Sequence, residues 1–225
     1  MTLKDKKHWS HKSEAAQDEV KDAIEETVDW LWVRRREAGY AAGGVAAAAL
    51  VLGFFLYQRR AAVNAAWDKL SQAELYAYSG RPQDARELVN QVTDGSSPAA
   101  AALAQMLDGD LHFPKGEYDQ ALTAYDKAAA VAPEALRPFA QAEKVMTLAA
   151  AGKAADCATS AQAFLDAYPE HLLAAQIHTD LARCQMALGQ NDVAKATLQR
   201  IALQYPGTPW AEWAADRLTP APAAK

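Results

Sequence analysis

Apolar and polar residues follow three successive patterns along this 225-residue chain, of which 51% is hydrophobic. Residues 1–37 are polar and charged, residues 38–57 carry no charge, and from residue 58 alanine-rich stretches alternate with charged positions. Glycine, proline and β-branched residues are too sparse and too irregularly spaced for a sandwich or barrel, whereas alanine favours helix. The chain is therefore predicted to be all-α.

The polar N-terminal segment contains one stretch with helical periodicity, residues 13–33. Ser13 can cap it, acidic residues crowd its first turns, and apolar residues recur every three or four positions at Val20, Ile24, Val28 and Leu31. Two interpretations stay open: an amphipathic helix that docks a partner or lies at a membrane interface, and a partly disordered tail.

The uncharged segment, residues 38–57, is twenty residues long. A helix needs about 20 predominantly apolar residues to cross the hydrocarbon core of a bilayer. Arginines bracket the segment at 34–36 and 59–60, and Tyr40 and Tyr57 suit the two interfaces. The pattern favours a transmembrane helix, surrounded by membrane lipid, over a buried helix of a soluble protein.

A cleaved signal peptide is the main competitor for this segment. The leading region is 37 residues long and rich in acids, and the apolar run exceeds the usual ~7 to 15 residues. Arginines stand where a cleavage site of small residues is expected, and no cysteine is placed for lipid attachment. We therefore predict an uncleaved single-pass anchor.

Flanking charge decides the predicted orientation of the anchor. The fifteen residues on either side hold three Lys or Arg each, but the short N-terminal tail adds five further lysines. Because the rule counts short loops and discounts long translocated domains, the N-terminus is predicted to be cytoplasmic and the C-terminal domain to lie outside.

Small residues recur four apart in the span, at Gly39 and Gly43 and again at Ala49 and Gly53. This spacing allows two transmembrane helices to approach closely, which would give a homodimer through the span. It also arises readily by chance in an alanine- and glycine-rich run, so structural filler is the competing explanation.

Beyond the span, the strongest signal is an internal repeat. Four glycines recur at separations of 36, 36 and 37 residues, and a small residue follows each of them five positions later: Gly80 with Ala85, Gly116 with Ala121, Gly152 with Cys157 and Gly189 with Ala194. Prolines follow the last three glycines by seventeen residues, at Pro133, Pro169 and Pro206. A fixed period in the thirties predicts stacked helix-turn-helix units, with glycine in the turn and proline opening the next helix.

These signals predict the helix boundaries and the domain organisation. The expected helix pairs are 62–79 and 82–93, 98–114 and 117–131, 134–151 and 154–167, and 171–188 and 191–204, with a capping helix from Thr208 and Pro209. The predicted domains are a tail at 1–37, a span at 38–57, a solenoid at 58–218 and a disordered tail at 219–225.

The glycine, small residue and proline at these offsets resemble tetratricopeptide repeats, most clearly from Gly116 to Pro133. The resemblance covers residues 62 to 218. It departs from the family pattern at Asp108 and Lys144, where an apolar residue is typical.

The layout of charged tail, single span and degenerate repeats is similar to the bacterial YfgM-like family of tetratricopeptide proteins, which are ancillary to the Sec translocon. That resemblance implies a protein of the inner membrane with a periplasmic C-terminal domain. It also implies association with translocon subunits, a periplasmic chaperone and exported polypeptides. The alternative function is a cell-envelope assembly factor that organises peptidoglycan or outer-membrane machinery.

Charge and motif content argue against other function classes. Residues 61–225 hold thirteen basic against nineteen acidic residues, and an acidic domain repels nucleic-acid phosphates. No phosphate-binding loop, nucleophile elbow or metalloprotease motif is present, and histidines such as His171 and His178 lack a third ligand. We expect a non-enzymatic protein with no catalytic residues, metal or cofactor.

Cys157 and Cys184 are the two cysteines of the chain. They lie on helices predicted to be neighbours, so two alternatives arise. Buried thiols that fill small sites are the outcome favoured by their packing positions, and a disulfide is permitted if the domain faces an oxidising compartment.

The first helices of the units are expected to line a groove for extended or helical peptide segments. Methionine and aromatic side chains repack around varied apolar partners, and Glu74, Asp110 and Arg183 are available to orient them. The candidate groove residues are Tyr78, Met106, Phe113, Phe139, Met146, Arg183 and Met186. The competing interpretation assigns the same residues to the core between helices.

Overall fold

The computed structural model describes residues 21, 28, 30, 32–92 and 97–219. Within these residues the chain forms nine α-helices and one short 3₁₀ helix, which confirms the all-α prediction of a long apolar helix followed by stacked helix pairs. Most of the predicted amphipathic helix at 13–33 lies outside the described residues, as does 220–225.

The contacts divide the chain into two units, one ending at Gln58 and the other beginning at Arg59. The first unit contains the start of helix α1, Arg35–Tyr78. Its most apolar 18-residue window has a mean hydropathy of 1.8, and none of that window is buried within the protein. One long, exposed, apolar N-terminal helix is consistent with a single-pass anchor or a signal sequence.

Helix α1 continues through the point where the first solenoid helix was predicted to begin. That helix was predicted at 62–79, whereas one helix runs from Arg35 to Tyr78 and contains the predicted span, 38–57. The connecting residues 58–61 are Gln, Arg, Arg and Ala, all good helix formers, and no glycine or proline interrupts them. The helix therefore has no local reason to end there.

The second unit is a series of helix pairs. The part of α1 from Arg59 pairs with α2, and a single helix closes the series after three further pairs. The bounds are α2 Pro82–Val92, α3 Pro98–His112, α4 Tyr118–Val131, α5 Arg137–Ala150, α6 Ala154–Ala167, α7 Ala174–Ala187, α8 Asn191–Gln204 and α9 Pro209–Leu218, with the 3₁₀ turn Phe113–Lys115 after α3.

The turns within the pairs repeat the same backbone geometry. Gly80, Gly116, Gly152 and Gly189 have φ between 70° and 74°, a region that L-residues with a side chain rarely adopt. The residue after each glycine donates its amide to a carbonyl five positions earlier, as from Lys153 N to Leu148 O at 3.0 Å. This is a Schellman ending, which satisfies the last carbonyls of the first helix in each pair.

Small residues bring the helices of each pair close together. Ala85, Ala121 and Cys157 are fully buried, and Ala194 is 1% exposed. Larger side chains fill the rest of the core, with Tyr125, Phe164, Ile177 and Ile201 among the most completely buried. Burying side chains of this size contributes about 1.5–3 kcal/mol each.

The prolines behave less uniformly than predicted. Pro98 opens α3 behind the capping side chain of Ser97, and Pro209 opens α9 behind Thr208. Pro133, Pro169 and Pro206 instead lie several residues before the next helix, in irregular turns. Pro133, for example, accepts amide hydrogen bonds from Leu136 and Arg137. The prediction that these three prolines begin a helix is therefore wrong, because a turn separates each from the helix start.

Candidate functional site

Neighbouring first helices α5 and α7 enclose a pocket of about 350 Å³ on one side of the solenoid. Two of the predicted groove residues, Met146 and Arg183, lie together in its wall. The wall consists of Met146, Ala149, Ala150, Gly152, Ala154, Gln176, Asp180, Arg183, Cys184 and Ala187. Its composition is mostly apolar with three polar groups, as is usual for a site that binds another molecule.

The repeat spacing explains which side chains reach this surface. Asp110, Met146 and Arg183 each stand six residues before a turn glycine, and Glu143 and Asp180 each stand nine residues before one. Residues three apart share a helix face, so these two repeat positions form one continuous row. We call the surface formed by these five residues the groove.

At the α7 end of the groove, a buried carboxylate is fully paired. Asp180 is 3% exposed, and it accepts hydrogen bonds from Gln176 Nε2 at 3.0 Å and from Arg183 at 3.3 Å. Burial raises the pKa of Asp180, and the bonds from Gln176 and Arg183 oppose that rise. The charge of Arg183 is thus largely committed to a residue of its own helix.

Helix α9 completes this network. Trp210 Nε1 donates to Gln176 Oε1 at 3.2 Å, and the guanidinium carbon of Arg183 lies 5.1 Å from the ring centroid of Trp213. A cation over an indole face is favourable. The capping helix therefore holds two of the polar side chains that line the pocket.

At the α3 end, the carboxylates are held differently. The hydroxyl of Tyr125, which is 1% exposed, donates to Asp110 Oδ1 at 2.7 Å. Gly109 permits this contact, since a Cβ there would lie 2.5 Å from Tyr125 Cζ. Although much of Asp110 is exposed, the partial burial of its carboxyl raises its pKa. Burial and the charge of Asp110 raise the pKa of Glu143 to about 7.

The remaining predicted groove residues do not converge on the pocket. Phe113 lies in the 3₁₀ turn against Tyr118, with ring centroids 5.6 Å apart, and Phe139 lies against His171 at 5.1 Å. Tyr78 is 93% exposed at the end of α1, while Met106 and Met186 are half-buried. Partner binding by these five residues stays a prediction.

Asp108 and Lys144, which depart from the repeat pattern, form ion pairs with residues of neighbouring helices. Arg86 of α2 donates to Asp108 at 2.9 Å, and Lys144 donates to Asp126 of α4 at 2.6 Å. Polar residues at these positions are therefore accommodated by ion pairs between helices.

Cys157 of α6 and Cys184 of α7 form a disulfide, with their Cα atoms 6.2 Å apart. Of the two alternatives that the sequence left open, buried thiols and a disulfide, the structure has the disulfide. Both residues are buried, and Cys184 also lines the pocket. The bond therefore fixes α6 to the helix that carries Asp180 and Arg183.

Two histidines, His112 and His178, are buried between the helices. His112 is 5% exposed and its Nδ1 lies 2.5 Å from a carboxylate oxygen of Glu117. His178 is equally buried, and desolvation, helped by the charge of Arg200, lowers its pKa. Among the residues that the structure describes, no group of three or more histidine, cysteine or acidic side chains is placed to hold a metal ion.

Comparison with known proteins places the second half of the site in a recognised repeat. A family model described as tetratricopeptide repeat matches residues 180–208, which run from Asp180 through the Gly189 turn and helix α8. No curated protein matched the chain. The matched segment is therefore similar to a tetratricopeptide repeat, a module that implies protein partners and suggests a protein-interaction scaffold.

Proposed function

We propose that this protein is a membrane-anchored, non-enzymatic scaffold that binds polypeptide partners in the groove of its solenoid. The carrying observation is the mostly apolar pocket between α5 and α7, which is lined by Met146 and Arg183 and lies partly within the matched repeat. An apolar surface with a few placed polar groups suits a peptide segment better than a reaction centre.

The anchor is proposed to be α1, with the N-terminus in the cytoplasm and the solenoid in the periplasm of a bacterial inner membrane. The excess of lysines in the short N-terminal tail supports this orientation. The Cys157–Cys184 disulfide supports it independently, because disulfides persist in the periplasm and are rare in the cytosol.

We further propose that the partners are translocon subunits, a periplasmic chaperone and exported polypeptides. The support is the layout of tail, span and degenerate repeats that the chain has in common with YfgM-like proteins. Partner identity distinguishes this role from envelope assembly, in which peptidoglycan or outer-membrane machinery would bind the same groove.

Site-specific photocrosslinking in intact membranes tests the proposal. A photoreactive residue replaces Met146 in the groove or Ala150 in the adjoining pocket wall, and a matched control replaces Lys195 on the exposed side of α8. We expect translocon subunits, a chaperone or exported chains to be captured from the groove positions and not from position 195. Capture of envelope synthases alone would favour the alternative function, and equal capture from all three positions would contradict a groove-specific role.

A further inference from the structure

We infer that the groove recognises a polypeptide segment in which basic and apolar side chains alternate. This inference rests on the proposed function and specifies the chemistry of the partner. Compensated and uncompensated charges are distributed unevenly along the groove.

The α3 end of the groove carries negative charge without a counter-ion. Asp110 accepts a hydrogen bond from the neutral Tyr125 hydroxyl, which leaves its charge in place. Within residues 32–92 and 97–219, no side chain donates a hydrogen bond to the Glu143 carboxylate or pairs with it. Two carboxylates on successive first helices therefore lie within range of each other's charge.

The cation nearest to them in the groove row is already engaged. Arg183 is bonded to Asp180 and stacked on Trp213, so the α7 end is close to neutral. The uncompensated groove charge thus comes from Asp110 and, above pH 7, also from Glu143.

The two carboxylates repel each other in the free protein. Burial and then the charge of Asp110 raise the pKa of Glu143, whereas burial raises the pKa of Asp110. A lysine or arginine side chain placed between them would replace this repulsion with two attractive contacts. The acidic surface of the solenoid would also attract such a segment from a distance.

The apolar part of the segment is specified by the neighbouring pocket. Glu143 and Met146 lie on successive turns of one helix face, so the carboxylate and the pocket are adjacent. The pocket's volume of about 350 Å³ accommodates one bulky apolar side chain. A partner with a basic residue next to a large apolar residue would fill both sites.

Peptide binding to the full-length protein in zwitterionic nanodiscs tests this inference, with empty nanodiscs as the blank. The probes are three fluorescent twelve-residue peptides: alternating Lys and Leu, alternating Glu and Leu, and alternating Lys and Ser. We expect the Lys–Leu peptide to bind at least tenfold tighter than either of the others at 0.1 M salt. Equal affinity of the Lys–Leu and Glu–Leu peptides, or no binding by any peptide, would overturn the inference.

Paired variants locate the effect. D110N/E143Q removes both groove charges while preserving side-chain shape and the acceptor for Tyr125. The control E87Q/D192N removes two exposed acids from second helices α2 and α8. We expect the groove variant to lose at least fivefold in Lys–Leu affinity and the control to change less than twofold. Equal losses would assign binding to overall charge and contradict a groove site.

The two proposals fail in distinguishable ways. If the groove crosslinks partners through Met146 but the acidic peptide binds as well as the basic one, the scaffold function stands and the partner chemistry is wrong. If neither crosslinks nor peptides engage the groove, both are wrong. Thermal melting of each variant beside the parent excludes unfolding as the cause of lost binding.

Discussion

Glu143 and Asp180 occupy the same repeat position, nine residues before a turn glycine, yet they lie in opposite electrostatic settings. Asp180 is buried and bonded to Gln176 and Arg183. Glu143 is half-buried, and burial together with the charge of Asp110 raises its pKa to about 7. The repeat therefore supplies a backbone position, while neighbouring side chains decide whether a carboxylate there stabilises the fold or is left available to a ligand.

The largest expected effect concerns the disulfide that joins α6 to α7, the helix that carries Asp180. Replacing both Cys157 and Cys184 with alanine should lower the free energy of unfolding of the solenoid by about 3–4 kcal/mol, since the bond closes a 27-residue separation in the unfolded chain. Denaturant unfolding of the full chain in detergent measures this. A loss below about 1 kcal/mol would indicate that the helices need no covalent support.

The next largest effect concerns the close contact between Gly109 and the ring of Tyr125. Gly109→Ala should cost about 1–3 kcal/mol, because the added Cβ overlaps the Tyr125 ring. The double variant Gly109→Ala/Tyr125→Leu serves as the control, since a smaller side chain removes the overlap. The double variant should be less destabilised than the sum of the two single variants. Strict additivity would contradict a direct clash.

Removing the charge of Arg183, which pairs with Asp180, should cause a smaller loss of stability. Arg183→Met should lower stability by about 1–2 kcal/mol at pH 7, because it leaves a buried carboxylate without its counter-ion, a cost reduced here by the partial exposure of Arg183. Lys195→Met, which removes an exposed charge from α8, should change stability by less than about 0.5 kcal/mol. Equal effects of the two variants would mean that Arg183 does not stabilise the buried charge of Asp180.

The smallest effect has the opposite sign and depends on pH. Because the pKa of Glu143 is raised in the folded state to about 7, the stability associated with its protonation is present below pH 4.5 and is lost as the pH rises towards 7. Glu143→Gln should therefore stabilise the protein by about 1 kcal/mol at pH 8, after allowance for solvent screening, and by little at pH 4. Melting curves at the two pH values measure this, and stabilisation at pH 4 alone would contradict the assignment.

The regular features of the fold could be predicted because they depend on local backbone chemistry. A tight turn with positive φ requires glycine, and close helix packing requires a small residue, so Gly116 and Ala121 mark a helix pair from sequence alone. The end of the proposed anchor was harder to place, since residues 58–61 contain no helix-breaking residue. The helix start predicted at Pro133 was wrong because proline fits a turn as well as a first helical position.

The electrostatics of the groove could not be predicted from the sequence. Glu143 and Asp180 are both acidic residues on amphipathic helices, and only their tertiary neighbours distinguish them. Tyr125 comes from a second helix, α4, and reaches Asp110 across a glycine on the facing helix. The pairing of Gln176 with Trp210 joins residues 34 positions apart and has no local signature.

The contacts of α9 have a practical consequence for anyone who modifies this protein. Trp210 and Trp213 contact Gln176 and Arg183, which line the pocket, so the C-terminal helix cannot be treated as a dispensable end. Truncation before Pro209 would remove the indole contacts of Gln176 and Arg183 together and leave only their bonds to Asp180. An extra repeat grafted after Gln204 would need to reproduce both indoles. Conversely, the indole stacked beside Arg183 offers a fluorescent reporter that needs no added label. Once the other five tryptophans are replaced by phenylalanine, its emission should respond to occupancy of the neighbouring pocket.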